Sequence, residues 1–266
     1  MLDPYPGRVD CADRTPPYRL SLGGLELLVF DSADAEDLLA PPEKVAFYAG
    51  QLAPLLAQAP AGSWLLLHHP VWAMWQGPLP PLFAGLSTNQ TLQAAMRGLV
   101  PASLDLVLSG HVHDFLSYDF GPQRPAQLII GTGGDKLQGL GSAPIAGTEL
   151  DGMTVRDGIA LAQYGYLVLD RNPAGGWDGV LYAPDDTVLA RCRLSGRSVN
   201  CRQPADLAAS SSVEPISSVV ARRRSRGVRL VVRPAPMHRV AIVPDHEIAD
   251  APFVAVDELR PCRVLG

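Results

Sequence analysis

The sequence predicts an α/β domain that ends in an antiparallel meander, and three observations carry that prediction. Short continuous apolar runs bounded by turn residues read as buried strands. Amphipathic stretches at helical spacing separate the first of these runs. Two histidine clusters, Leu67-His68-His69-Pro70 and Gly110-His111-Val112-His113, each close one of the runs. Buried strands alternating with helices place a functional site in the loops along one strand edge.

Residues 1–18 are rich in Pro, Asp and Gly and read as a loop. Leu25 to Phe30 is a buried strand ending in Asp31-Ser32. Pro41-Pro42-Glu43 opens a helix over Lys44 to Gln58, with proline in the first turn, where its missing N–H has no helical partner to lose. Its apolar residues Val45, Phe47, Tyr48, Leu52, Leu55 and Leu56 fall at helical spacing. Trp64 to Leu67 is the next strand and delivers His68. Gln76 to Gly85 carries four prolines and reads as a loop, and Thr88 to Leu99 reads as a second helix. Leu104 to Leu108 is a strand that delivers His111, and Gln127 to Ile130 is another, ending in Gly131-Thr132-Gly133-Gly134.

From Gly158 to Arg202 the pattern changes. Ala160 to Leu169, Gly179 to Tyr182, Val188 to Arg193 and Arg197 to Arg202 read as strands separated by Asn-Pro, Gly-Gly and Ser-Gly turns. Residues 205–266 shift again, to an Ala/Ser-rich stretch, the basic run Arg222-Arg223-Arg224-Ser225-Arg226, and a remainder without a clear period. They read as a linker and tail after a domain spanning 1–204.

Composition narrows the classes. The 266 residues are 47% hydrophobic, ample for a core, and the net charge of −5 argues against nucleic acid as a partner. No apolar run approaches the roughly 18 residues that would span a bilayer. Arginine outnumbers lysine, which occurs only at Lys44 and Lys136, a bias suggesting a GC-rich bacterial genome. Met1-Leu2-Asp3-Pro4 opens no basic and apolar leader, so either the protein is cytosolic or its true beginning lies upstream. Cys192 and Cys201 bracket a hairpin turning at Ser195-Gly196. Facing positions would allow a disulfide and favour an oxidising compartment, and two unpaired thiols is the equal alternative.

The histidine clusters carry the chemistry. Imidazole is the commonest side-chain metal ligand. Taken alone, His68-His69-Pro70 reads more often as a packed or surface pair. The alternative is one histidine, fixed by the following proline, as a ligand, with the second supporting it, facing substrate or pointing elsewhere. In Gly110-His111-Val112-His113, glycine permits a tight turn, and each imidazole can face a different ion of a binuclear site.

Gly-His-Val-His after Leu-Asp-Leu-Val-Leu-Ser, preceded by His-His-Pro-Val-Trp after Trp-Leu-Leu-Leu, resembles the last two metal motifs of calcineurin-like metallophosphoesterases, in their purple acid phosphatase branch. Pro16 to Ser32 and Leu128 to Gly134 are similar to the stretches that flank those motifs, so the resemblance covers roughly residues 10–202. It implies a β-sandwich flanked by helices (αββα). It also implies His68 and His111 on one metal, His69 as a variable neighbour, and His113 on a second metal. Two ions of Fe, Mn or Zn type would clamp a phosphoester oxygen and generate the attacking hydroxide.

The family's Asp-x-His, Gly-Asp and Gly-Asn-His motifs do not occur here. Two cations under histidines alone would repel each other without relief. The expectation is therefore the C-terminal part of a phosphoesterase, impaired alone and missing an N-terminal half. The alternatives are a non-catalytic fragment or a mononuclear module using His68, His111 and His113. Gly131 to Asp135 reads as a turn near the metals, Arg222 to Arg226 as a solvated run, and Asp245-His246-Glu247 as surface.

Overall fold

The apolar runs assemble into a seven-stranded mixed sheet. In chain order its strands are β1 (Tyr18–Leu22), β2 (Leu25–Val29), β3 (Ser63–Leu66), β4 (Leu104–Ser109), β5 (Phe115–Tyr118), β6 (Ala126–Ile130) and β7 (Ala160–Leu161). Their spatial order is β7-β5-β6-β4-β3-β2-β1. The central strands β2, β3, β4 and β6 run parallel, and β1, β5 and β7 add antiparallel pairings at the edges. The computed structural model describes residues 14–74, 87–133, 136–139 and 145–204, with the backbone of strands at 9–10, 228–232, 241–244 and 263–264. The 222–226 basic run, Asp245-His246-Glu247, Asp135, Cys11 and Cys262 lie outside those residues.

Alternation along the strands sends side chains to two different cores. On one face Leu28, Leu65, Val107, Leu116 and Ile129 pack with Tyr48, Leu52 and Leu56 of α1 (Pro42–Ala57) and Leu92 and Met96 of α2 (Gln90–Met96). On the other face Leu27, Trp64, Leu106, Leu108 and Leu128 meet the second sheet. That sheet contains β8 (Tyr166–Arg171), β9 (Trp177–Tyr182), β10 (Val188–Ser195), β11 (Ser198–Arg202), β12 (Val228–Val232) and β13 (Ala241–Pro244), ordered β11-β10-β9-β8-β12-β13 and antiparallel throughout. Trp64 and Trp177 touch across the interface, ring centroids 5.1 Å apart.

Of the expected αββα arrangement, the described residues supply one helical layer and the two sheets, since both helices lie on one face of the mixed sheet. The outer face of the meander needs no helix. Asp170, Asp178, Arg191 and Asn200 alternate outward and are exposed, so that face can meet water.

Three boundaries differ from expectation for local reasons. α2 is shorter than the Thr88 to Leu99 periodicity. The Asn89 side chain accepts from Leu92 N–H at 2.9 Å and caps the start, and Gly98, at φ +75°, ends the turn. The run from Ala160 to Leu169 divides between the two sheets. At Gly165 a Cβ would meet the Tyr182 carbonyl at 2.3 Å, so only glycine passes. β1 begins at Tyr18, where the expected N-terminal loop ends, and β5 falls in a stretch where the sequence predicts no element.

Cys192 and Cys201 are register partners in the β10–β11 hairpin and are disulfide-bonded, their Cα atoms 4.0 Å apart. The turn falls at Gly196-Arg197, with Gly196 at φ +51°.

Candidate metal centre

The site forms at the carboxyl ends of β2, β3 and β4, where three loops converge. Leu67 continues the ladder from β3 by donating to the Leu108 carbonyl at 3.1 Å, and His68 and His69 follow. Their amides both donate to Ser32 Oγ, at 3.1 and 2.9 Å, and Ser32 is fully buried just beyond β2. Two buried glutamines hold the next residues. Gln127 of β6 accepts from the Val71 and Trp72 amides and donates to the Trp72 carbonyl at 2.7 Å. Gln93 of α2 donates to the Val71 carbonyl at 2.9 Å. A buried backbone segment leaves few polar groups unpaired, and these side chains replace the ladder beyond Leu67.

The second loop is tied to the first, since Gly110 N–H donates to the His68 carbonyl at 3.0 Å. His111 then adopts φ +64°, a left-handed conformation that costs an L-residue about 1–2 kcal/mol. Strain of this kind persists where surrounding contacts over-determine it. Here Gly131 supplies the room: a Cβ on it would lie 1.8 Å from the Val112 carbonyl oxygen. Its own N–H donates to the Asp114 carbonyl at 3.2 Å.

The third loop, between β2 and α1, brings Asp37. Its Oδ1 accepts from Thr88 Oγ at 2.6 Å and from Asn89 Nδ2 at 3.1 Å. Its Oδ2 lies 2.8 Å from His111 Nε2. Burial alone would raise the Asp37 carboxyl above its ordinary value. Hydrogen bonds from His111 and Thr88 and the nearby imidazoles outweigh burial and hold it lower.

His68, His69 and His111 are brought together, with one donor nitrogen from each lying within 4.8 Å of the others. His111 Nδ1 and His68 Nε2 are 3.3 Å apart, and the His69 and His111 ring centroids are 3.8 Å apart. His69 is 5% exposed, and its Nδ1 is buried without a hydrogen-bond partner. Burial first, then the neighbouring His111 and His68, pull its pKa down to about 4, so His69 is neutral at pH 7. His113 is not a member of this trio, and it donates from Nδ1 to the Lys136 carbonyl at 2.9 Å.

This donor set fits one transition-metal ion. Tetrahedral Zn–N bonds of about 2.0–2.1 Å place donors about 3.3–3.4 Å apart, which the His111–His68 pair already matches. Imidazole suits Zn, Cu, Fe or Ni, and ligation would satisfy a buried nitrogen that otherwise has no partner. Among the described residues no other trio of histidine, cysteine or carboxylate side chains gathers in this way. Asp37 had no signal in sequence spacing. Its one clue is position, in the loop after a buried strand at the edge that also delivers the histidines.

No family model and no curated protein matches the chain. Solved structures to which it is similar include GAP50, the anchor in the inner membrane complex of Plasmodium, at 12% identity over 73% of this chain, TM-score 0.41. The purple acid phosphatase PPD1 from yellow lupin seeds is similar at 15% identity over 76%, TM-score 0.40. PhoD is similar at 9% identity over 78%, TM-score 0.34. The chain spans 56%, 36% and 46% of those three chains respectively.

Proposed function

We propose that this chain is a metal-dependent phosphoester hydrolase domain whose first ion is held by His68, His69 and His111. One observation carries the reading: the two histidine motifs meet at the carboxyl ends of the adjacent parallel strands β3 and β4. Ligands at strand ends of a buried parallel sheet sit on a rigid frame, and loops beyond them are free to shape a substrate pocket. A bound ion supplies Lewis-acid polarisation of a phosphoryl oxygen and a hydroxide at neutral pH. The chain's contribution is orientation. Ser32, Gln93 and Gln127 fix the His68-His69 loop, and the Gly110 amide fixes the second loop against it.

His113 would serve a second ion through Nε2, since its Nδ1 proton is engaged by the Lys136 carbonyl. The gathering of His68, His69 and His111 without His113 favours a second reading, a mononuclear metal-binding module without turnover that needs a partner half.

Metal content by mass spectrometry, paired with hydrolysis of an aryl phosphate, separates the readings. The hydrolase reading expects at least one ion per chain and turnover that His111→Ala abolishes. Stoichiometric metal with no turnover selects the module. A chain that binds no metal overturns both.

A further inference from the structure

We propose that Asp37 is a positioning residue that fixes the tautomer of His111, so that His111 presents Nδ1 to the metal beside His68 Nε2, with the buried His69 as third ligand. The inference rests on the metal-binding half of the preceding reading and not on hydrolysis.

The argument is a chain of hydrogen-bond polarity that begins at a helix cap. Leu92 N–H donates to Asn89 Oδ1 at 2.9 Å, and a backbone amide can only donate. That contact settles which way the Asn89 amide faces, so its Nδ2 is the atom turned to Asp37 Oδ1, at 3.1 Å. Thr88 Oγ donates to the same oxygen at 2.6 Å. Asp37 Oδ2 is left to face His111 Nε2 at 2.8 Å. A carboxylate only accepts, so the neutral imidazole carries its proton on Nε2. The lone pair then falls on Nδ1, the nitrogen 3.3 Å from His68 Nε2. Metal-bound histidines commonly donate their other N–H to a carboxylate in this way, which fixes the ring and raises its basicity.

Two further features point to a ligand. His69 is nineteen-twentieths buried, yet its Nδ1 has no partner, a cost that metal coordination would remove. The left-handed backbone of His111, φ +64°, holds its ring between Asp37 and His68. The third donor lies up to 4.8 Å from its partners, so His69 or His68 must swing inward by about 1.5 Å to complete a tetrahedral set.

Asp37→Asn is the discriminating variant. Thr88 and Asn89 both donate toward Oδ1, so the amide oxygen must stay there and the amide NH₂ turns to His111 Nε2. That reverses the polarity and forces the proton onto Nδ1, where it blocks ligation. In the metal-free full chain with ¹⁵N-labelled histidine, His111 is expected to be protonated on Nε2, and on Nδ1 in Asp37→Asn. Zinc affinity by competition with a chromogenic chelator should fall about 10- to 100-fold in Asp37→Asn. The visible spectrum of the cobalt-loaded protein should change with it. Asp37→Ala, which removes the acceptor without supplying a donor, should lose less than Asp37→Asn. Wild-type His111 protonated on Nδ1, or equal zinc affinity in wild type and Asp37→Asn, overturns the inference. The NMR readout on the wild type stands even if the variant fails to fold. Zinc bound as expected without phosphoester hydrolysis would overturn the hydrolase reading and leave this one intact.

Discussion

The Cys192–Cys201 hairpin and the histidine centre are both small constellations of reactive side chains, built in opposite ways. The hairpin is local. Its two sulfurs are nine residues apart in sequence, its register follows from one turn, and a covalent bond closes it. The histidine centre is non-local. Asp37 and His111 are 74 residues apart, and each loop is held by side chains from other elements: Ser32 beyond β2, Gln93 on α2 and Gln127 on β6. A local device depends on its own turn. A non-local one depends on the packing of the whole mixed sheet, so it should be vulnerable at positions that touch no ligand.

The sharpest way to test that contrast is Gly131→Ala. Gly131 supplies no side-chain metal donor of its own, but an added Cβ would meet Val112 backbone atoms at 1.8 and 2.6 Å. Backbone cannot rotate away as a side chain can. The expected loss of stability is about 3–5 kcal/mol, at the upper end for overpacking. The His111 turn must move with Val112, so metal affinity should fall as well. Urea denaturation and zinc titration check both effects. Wild-type zinc affinity in a folded Gly131→Ala chain would mean that the site tolerates displacement of its loop, and the contrast would break.

The same contrast explains what the sequence reveals. The runs that became β2, β3, β4 and β6 are legible because central parallel strands are buried on both faces and read as continuous apolar segments. α1 is legible from its 3.6-residue stripe, and the β10–β11 hairpin from its turn. β5, Phe115–Tyr118, is fully buried, but its four residues include Ser117 and follow directly on the histidine motif, so no period can emerge. Ser117 is accommodated because its hydroxyl accepts from Ile159 N–H at 3.1 Å. β1 alternates half-buried and exposed residues at the sheet edge, too weak a pattern to stand out from the loop before it. The approach of His68 to His111 follows from their places at the ends of two apolar runs. Asp37 is invisible because its role depends on Thr88 and Asn89, which reach it only through the fold.

The disulfide offers the converse test, of intermediate size. Replacing both Cys192 and Cys201 with alanine releases a loop of about ten residues, which loop-closure entropy values at about 2–3 kcal/mol. Both sulfurs lie in the core between the sheets, away from the helix-side core and the histidine loops. The expected outcome is a lower denaturation midpoint with zinc affinity unchanged. Loss of zinc binding in the double variant would show that the meander braces the histidine edge after all.

The smallest expected effect is at the hairpin's own glycine. Gly196 has φ +51°, like Gly131 a position where glycine is used, but a Cβ there would find nothing within 4 Å. Gly196→Ala therefore meets only the intrinsic penalty of a left-handed alanine, about 1–2 kcal/mol. The disulfide six residues or fewer to either side holds the register against slippage. Chemical denaturation of Gly196→Ala beside Gly131→Ala measures the difference between a conformational demand and a steric one. A penalty at Gly196 as large as that at Gly131 would mean that the turn, and not the bond, sets the hairpin. Local closure would then be no more forgiving than the non-local kind.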